Sequence, residues 1–207
     1  MTTRRRKVLV LYSGGADSVY MLLLAKRMGL ETTALMLRYG QKHEAELDYA
    51  TKVLVTIPGS LAIRLEELDI SGVFKLTHSN LLADGAKHVT YPNVHEMHVP
   101  ARNGIFLMAA LGVAETLGLD EVWIGCDYSD RLGLFPDCYQ EWIVRMDQIA
   151  QINGSRPLRV KAPCMGLAKE DVLALVEAEG VKLEAVFSGY TPPKITAPAV
   201  ADARKSQ

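Results

Sequence analysis

Six consecutive residues, Ser13-Gly14-Gly15-Ala16-Asp17-Ser18, carry the densest chemical signal in the sequence. Two adjacent glycines let backbone amides approach an anion closely, and a serine on each side can donate a hydroxyl to the same oxygens. A helix starting directly behind them adds partial positive charge, the arrangement that binds phosphate. Asp17 fits beside phosphate only as the holder of a cation such as Mg2+, or as the helix cap. Without a ligand, the same six residues make a tight strand-to-helix turn capped by Asp17 or Ser18. The string lacks the Gly-Lys-Ser/Thr end of a Walker A loop, and it is not the Gly-x-Gly-x-x-Gly of dinucleotide folds.

Further polar clusters follow. In Arg38-Tyr39-Gly40-Gln41-Lys42-His43, Gly40 permits a turn, and Gln41 and His43 offer directional hydrogen bonds. In Val99-Pro100-Ala101-Arg102-Asn103, Arg102 can pair bidentately with a carboxylate or phosphate, and Asn103 suits a helix N-cap. Asp127, Asp130 and Asp137 can accept from the ring N–H and amino groups of a purine-like base, or hold Mg2+. Lys169 stands at a helix start, an unfavourable place for a cation unless an anion is near. The bland alternatives are a strand-to-helix turn, a surface arginine, solvated aspartates and a solvated lysine. His95-x-x-His98 has metal-pair spacing but lies in predicted loop with no thiolate nearby, so ordinary loop histidines are the expectation. Cys138 has no activating neighbour in the sequence and is not expected to be a nucleophile.

The elements that must position these groups are legible in the hydrophobic pattern. Val8–Tyr12 is a short apolar run, as in a parallel strand buried on both faces, and Val19–Gly29 has helical length with a glycine stop. Glu31–Tyr39 reads as a second strand and Leu61–Leu65 as a third, with a helix between them through Ala45, Tyr49, Val53 and Leu54. A β-α-β-α-β order predicts a parallel sheet with right-handed crossovers. Residues 69–99 read as a long functional loop. Then come a helix over Ile105–Leu117, a strand over Glu121–Gly125, a polar loop over Cys126–Asp137, a helix over Tyr139–Ile152, a strand over Leu158–Lys161 and a helix over Lys169–Glu179. The expected architecture is α/β, with five parallel strands and helices on both faces. It forms one domain over 1–190, with a poorly packed tail over 191–207. Ligands of such sheets bind at the carboxyl ends of the strands, where the glycine loop, Arg38–His43, the loop near Val99–Asn103 and Cys126–Cys138 should open.

Composition narrows the class. The chain has 207 residues, is 49% hydrophobic and carries a formal net charge of −1. That balance argues against broad nucleic-acid binding, which needs a strong positive field. No apolar run reaches membrane-spanning length. The basic stretch Thr2–Lys7 is not followed by a signal-peptide core. Three widely spaced cysteines, Cys126, Cys138 and Cys164, fit a reducing compartment, so a cytoplasmic protein is expected.

The Ser-Gly-Gly-x-Asp-Ser string resembles the pyrophosphate loop of ATP pyrophosphatases. With Tyr39-Gly40-Gln41-x-His43, Val99-Pro100-x-Arg102-Asn103 and Pro136-Asp137-Cys138 in this order, the chain from Lys7 to Tyr190 resembles the QueC family of 7-cyano-7-deazaguanine synthases. The resemblance implies a Rossmann-like adenine nucleotide alpha hydrolase fold. It also implies 7-carboxy-7-deazaguanine, ammonia, ATP and Mg2+ as inputs. The acid is adenylated, ammonia gives the amide, and a second adenylation gives the nitrile. The expected nucleotide set is Tyr12, Ser13, Gly14, Gly15, Asp17, Ser18, Leu37, Gln41 and His43. The expected catalytic set is Ser13, Asp17, Ser18 and Lys169, with Asp17 toward Mg2+. The expected substrate set is Arg102, Asn103, Asp127, Asp130 and Asp137.

Members of that family carry a zinc site of four cysteines near the C-terminus. Here Gly189 stands at the first ligand position, no cysteine follows, and no zinc is expected. The family's Val-Pro-Gly-Arg-Asn has Ala101 in place of its glycine. These departures leave room for a ligase that stops at the amide or uses another amine, and for a nucleotide-binding module without turnover. The expected partners are the small deazapurine acid and ammonia, with no direct nucleic acid and no membrane. A homodimer is left open.

Overall fold

The computed structural model describes residues 4–41, 45–82, 91–132 and 134–186. Five parallel strands form one sheet in the order β3-β2-β1-β4-β5. They are β1 (Lys7–Leu11), β2 (Glu31–Arg38), β3 (Arg64–Asp69), β4 (Glu121–Trp123) and β5 (Arg159–Lys161). The helices are α1 (Ala16–Arg27), α2 (Ala45–Thr56), α3 (Arg102–Thr116), α4 (Tyr128–Leu132), α5 (Gln140–Ala150) and α6 (Lys169–Ala178).

Two cores sandwich the sheet, because side chains of a strand alternate between its faces. Val8 and Val10 of β1 face α1, α2 and α6, joining Leu22, Val53 and Val176. Leu9 faces α3 and α5, joining Leu107, Leu111 and Ile143. Helices therefore cover both faces, which is why β1 reads as an unbroken apolar run. Strand order reverses between β1 and β4, so the chain segments leaving these two strands diverge and open a crevice at their carboxyl ends.

Several boundaries differ from the sequence-based expectation. The third strand is Arg64–Asp69, not Leu61–Leu65. It is an edge strand with little buried surface, so its acidic residues are tolerated, and Arg38 pairs with Glu67 beside it. The helix expected from Ile105 starts at Arg102, with Ala101 at its N-cap. Asn103 is therefore not a cap; it is a buried residue of the first turn. The polar loop over Cys126–Asp137 contains the short helix α4. The long connection after β3 is anchored by a small cluster of Phe74, Leu82 and Val99 against Tyr39 and Phe106. The Tyr39 and Phe106 rings meet edge-on at 5.0 Å. His43, Phe187–Tyr190 and the expected 190/191 boundary lie outside the described residues.

At the other edge, β5 turns one backbone donor away from its partner strand. Val160 N–H gives that hydrogen bond to Asp147 Oδ1 of α5 at 2.8 Å, and Asp147 also accepts from the Arg159 guanidinium at 2.8–3.1 Å. Among the described residues, no helix is long and apolar enough to cross a membrane.

Candidate functional site

The loop after β1 is wired to itself. Ser13 N–H donates to Ser18 Oγ at 3.3 Å, Gly15 N–H to Ser13 Oγ at 3.4 Å, and Ser18 Oγ to the Gly15 carbonyl at 2.8 Å. Helix α1 starts at Ala16 with Gly15 as N-cap and no side-chain cap. The alternative of a turn capped by Asp17 or Ser18 does not occur. The uncapped helix start leaves its backbone donors for an anion instead.

Helix α2 braces this loop. Tyr12 donates its hydroxyl to the Ala50 carbonyl at 2.9 Å, and burial pushes that phenol above its usual range. Gly14 has φ +78°, and a Cβ there would lie 2.8 Å from Ala50 Cα. Both the left-handed backbone and the contact demand glycine. Gly15, at φ −75° and ψ 160°, has a backbone open to any residue. On the loop's other side, a Cβ on Gly125 would lie 3.0 Å from Asp17 Cβ. That glycine lets the end of β4 close on the start of α1.

The close approach brings together four groups expected in the site. Lys169 Nζ lies 2.6 Å from Asp17 Oδ2 and 3.1 Å from Asp127 Oδ2. Asp127 Oδ1 accepts from the backbone N–H of Ser129 at 2.8 Å and of Asp130 at 3.1 Å. Asp130 Oδ2 in turn accepts from Asp127 N–H at 3.0 Å. Two carboxylates thus flank one ammonium, and the third, Asp130, is tied to the backbone of Asp127 behind them. Burial alone would lower the lysine, but Asp17 and Asp127 overcome it and hold Lys169 above the usual lysine range. Burial raises Asp17 against the pull of Lys169. Asp127 ends below the usual range: burial opposes this, but the Ser129 hydrogen bond and Lys169 prevail. Burial, with Asp127 and Asp17 nearby, lifts Asp130 to about 6.

Asp17 Oδ1 is buried with no hydrogen-bond partner among the described residues. Such an atom is costly unless a ligand completes it. An oxygen donor beside a phosphate-shaped loop suits Mg2+, which takes carboxylate, phosphate and water oxygens.

The expected substrate residues fall into a second group. Asn103 N–H donates to Asp137 Oδ2 at 3.3 Å, Asn103 Nδ2 to Cys138 Sγ at 3.4 Å, and Arg102 Nε to Asn103 Oδ1 at 3.4 Å. Asp137 therefore serves the first turn of α3. Cys126 touches Cys138, and that contact together with burial drives its thiol well up, away from nucleophilic chemistry. Gln41 is buried and its side-chain oxygen accepts from Tyr39 N–H at 3.0 Å, while Leu37 is buried in β2. His95 stacks on Phe135 at 4.7 Å and its Nδ1 accepts from Met97 N–H, and His98 packs edge-on to Tyr91. These histidines serve the loop. Two site-shaping residues escape the sequence-based reading. Ala50 gives no local signal, whereas Gly125 is marked only by its place at the end of the expected fourth strand.

A family model described as "Queuosine biosynthesis protein QueC" matches residues 7–200. A 7-cyano-7-deazaguanine synthase of Geobacter sulfurreducens is 36% identical over 195 residues, 90% of this chain and 80% of that protein. One of Frankia casuarinae is 36% identical over 200 residues, 92% of this chain and 83% of that protein. Among solved structures, the U34-tRNA thiolase NcsA of Methanococcus maripaludis superposes with a TM-score of 0.58 at 16% identity, covering 87% of this chain and 59% of that one. NMN synthetase of Francisella tularensis gives 0.52 at 17%, covering 92% and 68%. At such identities the likeness concerns fold alone, and it bears out the expected adenine nucleotide alpha hydrolase architecture.

Proposed function

The chain belongs to the QueC family of queuosine biosynthesis proteins, and from that premise we propose that it converts 7-carboxy-7-deazaguanine and ammonia to 7-cyano-7-deazaguanine at the expense of ATP. The observation that carries this reading is the meeting of the Ser13–Ser18 loop with Asp17, Asp127, Asp130 and Lys169 at the point where strand order reverses.

A carboxylate is a poor electrophile, so it must first gain a leaving group. Attack of its oxygen on the α-phosphorus of ATP expels pyrophosphate and gives an acyl adenylate. The loop amides around Gly14 and Gly15, the hydroxyls of Ser13 and Ser18 and the start of α1 grip the leaving pyrophosphate. Tyr12 supports the loop from beneath, while Leu37 and Gln41 border the nucleotide. Asp17 would hold Mg2+ through its open oxygen, and the ion neutralises charge on the phosphates. Lys169, already charged, swings only a short way from Asp17 to a phosphate oxygen. Arg102, Asn103, Asp127, Asp130 and Asp137 form the acid-binding side. Ammonia displaces AMP to give the amide. Adenylation of the amide oxygen and a second loss of AMP leave the nitrile. The protein's share is mostly positioning.

The test is mass spectrometry of the product formed from 7-carboxy-7-deazaguanine, ATP, Mg2+ and ammonium. The expected products are the nitrile, AMP and pyrophosphate. An amide endpoint would favour the truncated ligase, and ADP with phosphate would refute the assignment of the loop. ATP binding without turnover would leave a nucleotide-binding module.

A further inference from the structure

Resting on the reading of the glycine loop as an ATP phosphate cradle, we propose that Tyr49 is a positioning residue for ATP: it ties a C-terminal strap, residues 181–186, to the turn of α2 that holds the loop in shape. Two loop residues meet α2 at one place. The Tyr12 hydroxyl donates to the Ala50 carbonyl at 2.9 Å. Gly14 packs so closely that a Cβ there would lie 2.8 Å from Ala50 Cα and 2.9 Å from Ala50 Cβ. The direction of the loop amides therefore follows from where Ala50 stands. Backbone donors grip an oxygen only over a narrow span, about 2.7–3.2 Å, so a small shift of Ala50 loosens the cradle.

Tyr49 stands beside Ala50 on the neighbouring face of the same turn, since successive residues of a helix are about 100° apart. Its hydroxyl donates to the Glu184 carbonyl at 3.5 Å, and the side chain is 9% exposed. Burial raises both phenols, and Tyr49 adds to the rise at Tyr12, so each remains a protonated donor at neutral pH. Glu184 belongs to the strap. Gly180, at φ +86°, turns the chain back after α6. Val181 and Val186 then enter the core beside Val172 and Val176 of α6 and Tyr49, Ala50 and Val53 of α2. Between them Leu183–Ala185 forms a single 3-10 turn, closed by Val186 N–H donating to the Leu183 carbonyl at 2.9 Å. Just before the strap, Glu179 pairs with Arg27 of α1. The strap is thus fixed to α1 and α6, and Tyr49 passes that fixity to α2. Val53, Leu54 and Ile57 bury the far half of α2 without help from the strap. What the Tyr49 hydroxyl sets is the placement of Ala50 against the loop.

Isothermal titration with α,β-methylene-ATP and Mg2+ reads the cradle without turnover, because carbon replaces the oxygen between the α- and β-phosphorus. Tyr49→Phe keeps the ring and its packing. Its Kd for the analogue should rise about 5-fold. KM for ATP should rise alike, while kcat at saturating ATP stays within about 2-fold of wild type. Val186→Ala, which loosens the strap at its end, should raise Kd in the same direction. Tyr12→Phe should also weaken binding. The double variant Tyr12→Phe/Tyr49→Phe should weaken it by less than the product of the two single effects, because both hydroxyls act through α2 at Ala50. A wild-type Kd in Tyr49→Phe, with or without a lowered melting temperature, would overturn the proposal and leave the tyrosine a packing residue. Single effects that simply multiply would overturn it as well. Absence of analogue binding by the wild type would instead overturn the reading of the loop, and this inference with it.

Discussion

Lys169 Nζ and Asp17 Oδ2 meet at 2.6 Å across 152 positions of sequence, fastening the first residue of α6 to the first turn of α1. Breaking a buried ion pair on one side costs roughly 3–5 kcal/mol, and an exposed pair contributes under about 1. Lys169 is 31% and Asp17 19% exposed, so Lys169→Met should cost about 1–3 kcal/mol in urea unfolding. AMP release should fall at least about 100-fold. Lys169→Arg should recover much of the stability and little of the rate, because a planar fork cannot follow the lysine's path.

The two loop glycines should separate. Gly14→Ala forces a left-handed alanine into Ala50 and should lower stability by about 2–4 kcal/mol, seen as a lowered melting temperature. Gly15→Ala keeps an allowed backbone, so its melting temperature should stay near wild type. It should nevertheless lose AMP formation, because its methyl group crowds the phosphates. An active Gly15→Ala enzyme would argue against phosphate contact at that residue.

Asp130 should set part of the pH dependence of stability. Its folded value, about 6, lies above the ordinary aspartate value of 3.8. The folded state therefore binds the proton more tightly than the unfolded chain. The corresponding stability is fully present below about 3.8 and is lost as pH rises through about 6. Asp130→Asn should remove this slope and stabilise the protein by about 1–2 kcal/mol at pH 7.5 in chemical denaturation. The aspartate would then be a group kept for chemistry at the expense of stability.

Ala101 has φ +58° at the N-cap of α3, a conformation that costs a Cβ-bearing residue about 1 kcal/mol. Ala101→Gly should raise the melting temperature by about 2–4 °C, with little change in ATP affinity.

No zinc should be needed for folding. Cys126, Cys138 and Cys164 are buried thiols, and no cluster of three or more metal-binding side chains occurs among the described residues. The melting temperature should be the same in EDTA without Mg2+ or nucleotide, and elemental analysis should find well under one zinc per chain. Stoichiometric zinc with chelator-sensitive melting would reverse this expectation.

The phosphate loop and its flanking strand and helix are legible because the governing rules are local: an apolar run, a glycine pair, then helical spacing. Asp127 and Asp130 are legible as a cluster for the same reason. The third strand is harder to read because an edge strand exposes both charged and apolar residues, which blurs alternation at Glu66 and Glu67. Asn103 looks like a cap until the chain shows that Ala101 turns first. The link from Lys169 to Asp17 has no local signature. It exists because α6 returns to pack beside α1, and only tertiary structure can show which acid a distant lysine meets.

Asp147 gives the molecule a property of a different kind. Its carboxylate already holds the outward amide of Val160, so an incoming strand from another molecule finds that donor occupied. To dock there it must displace an anion clamped by Arg159 and strand that charge away from water. This side of the sheet thus has an electrostatic fence against growth into fibrils, built without proline and without lengthening the three-residue strand. Strand addition at this edge is therefore opposed by one side chain far from the phosphate loop.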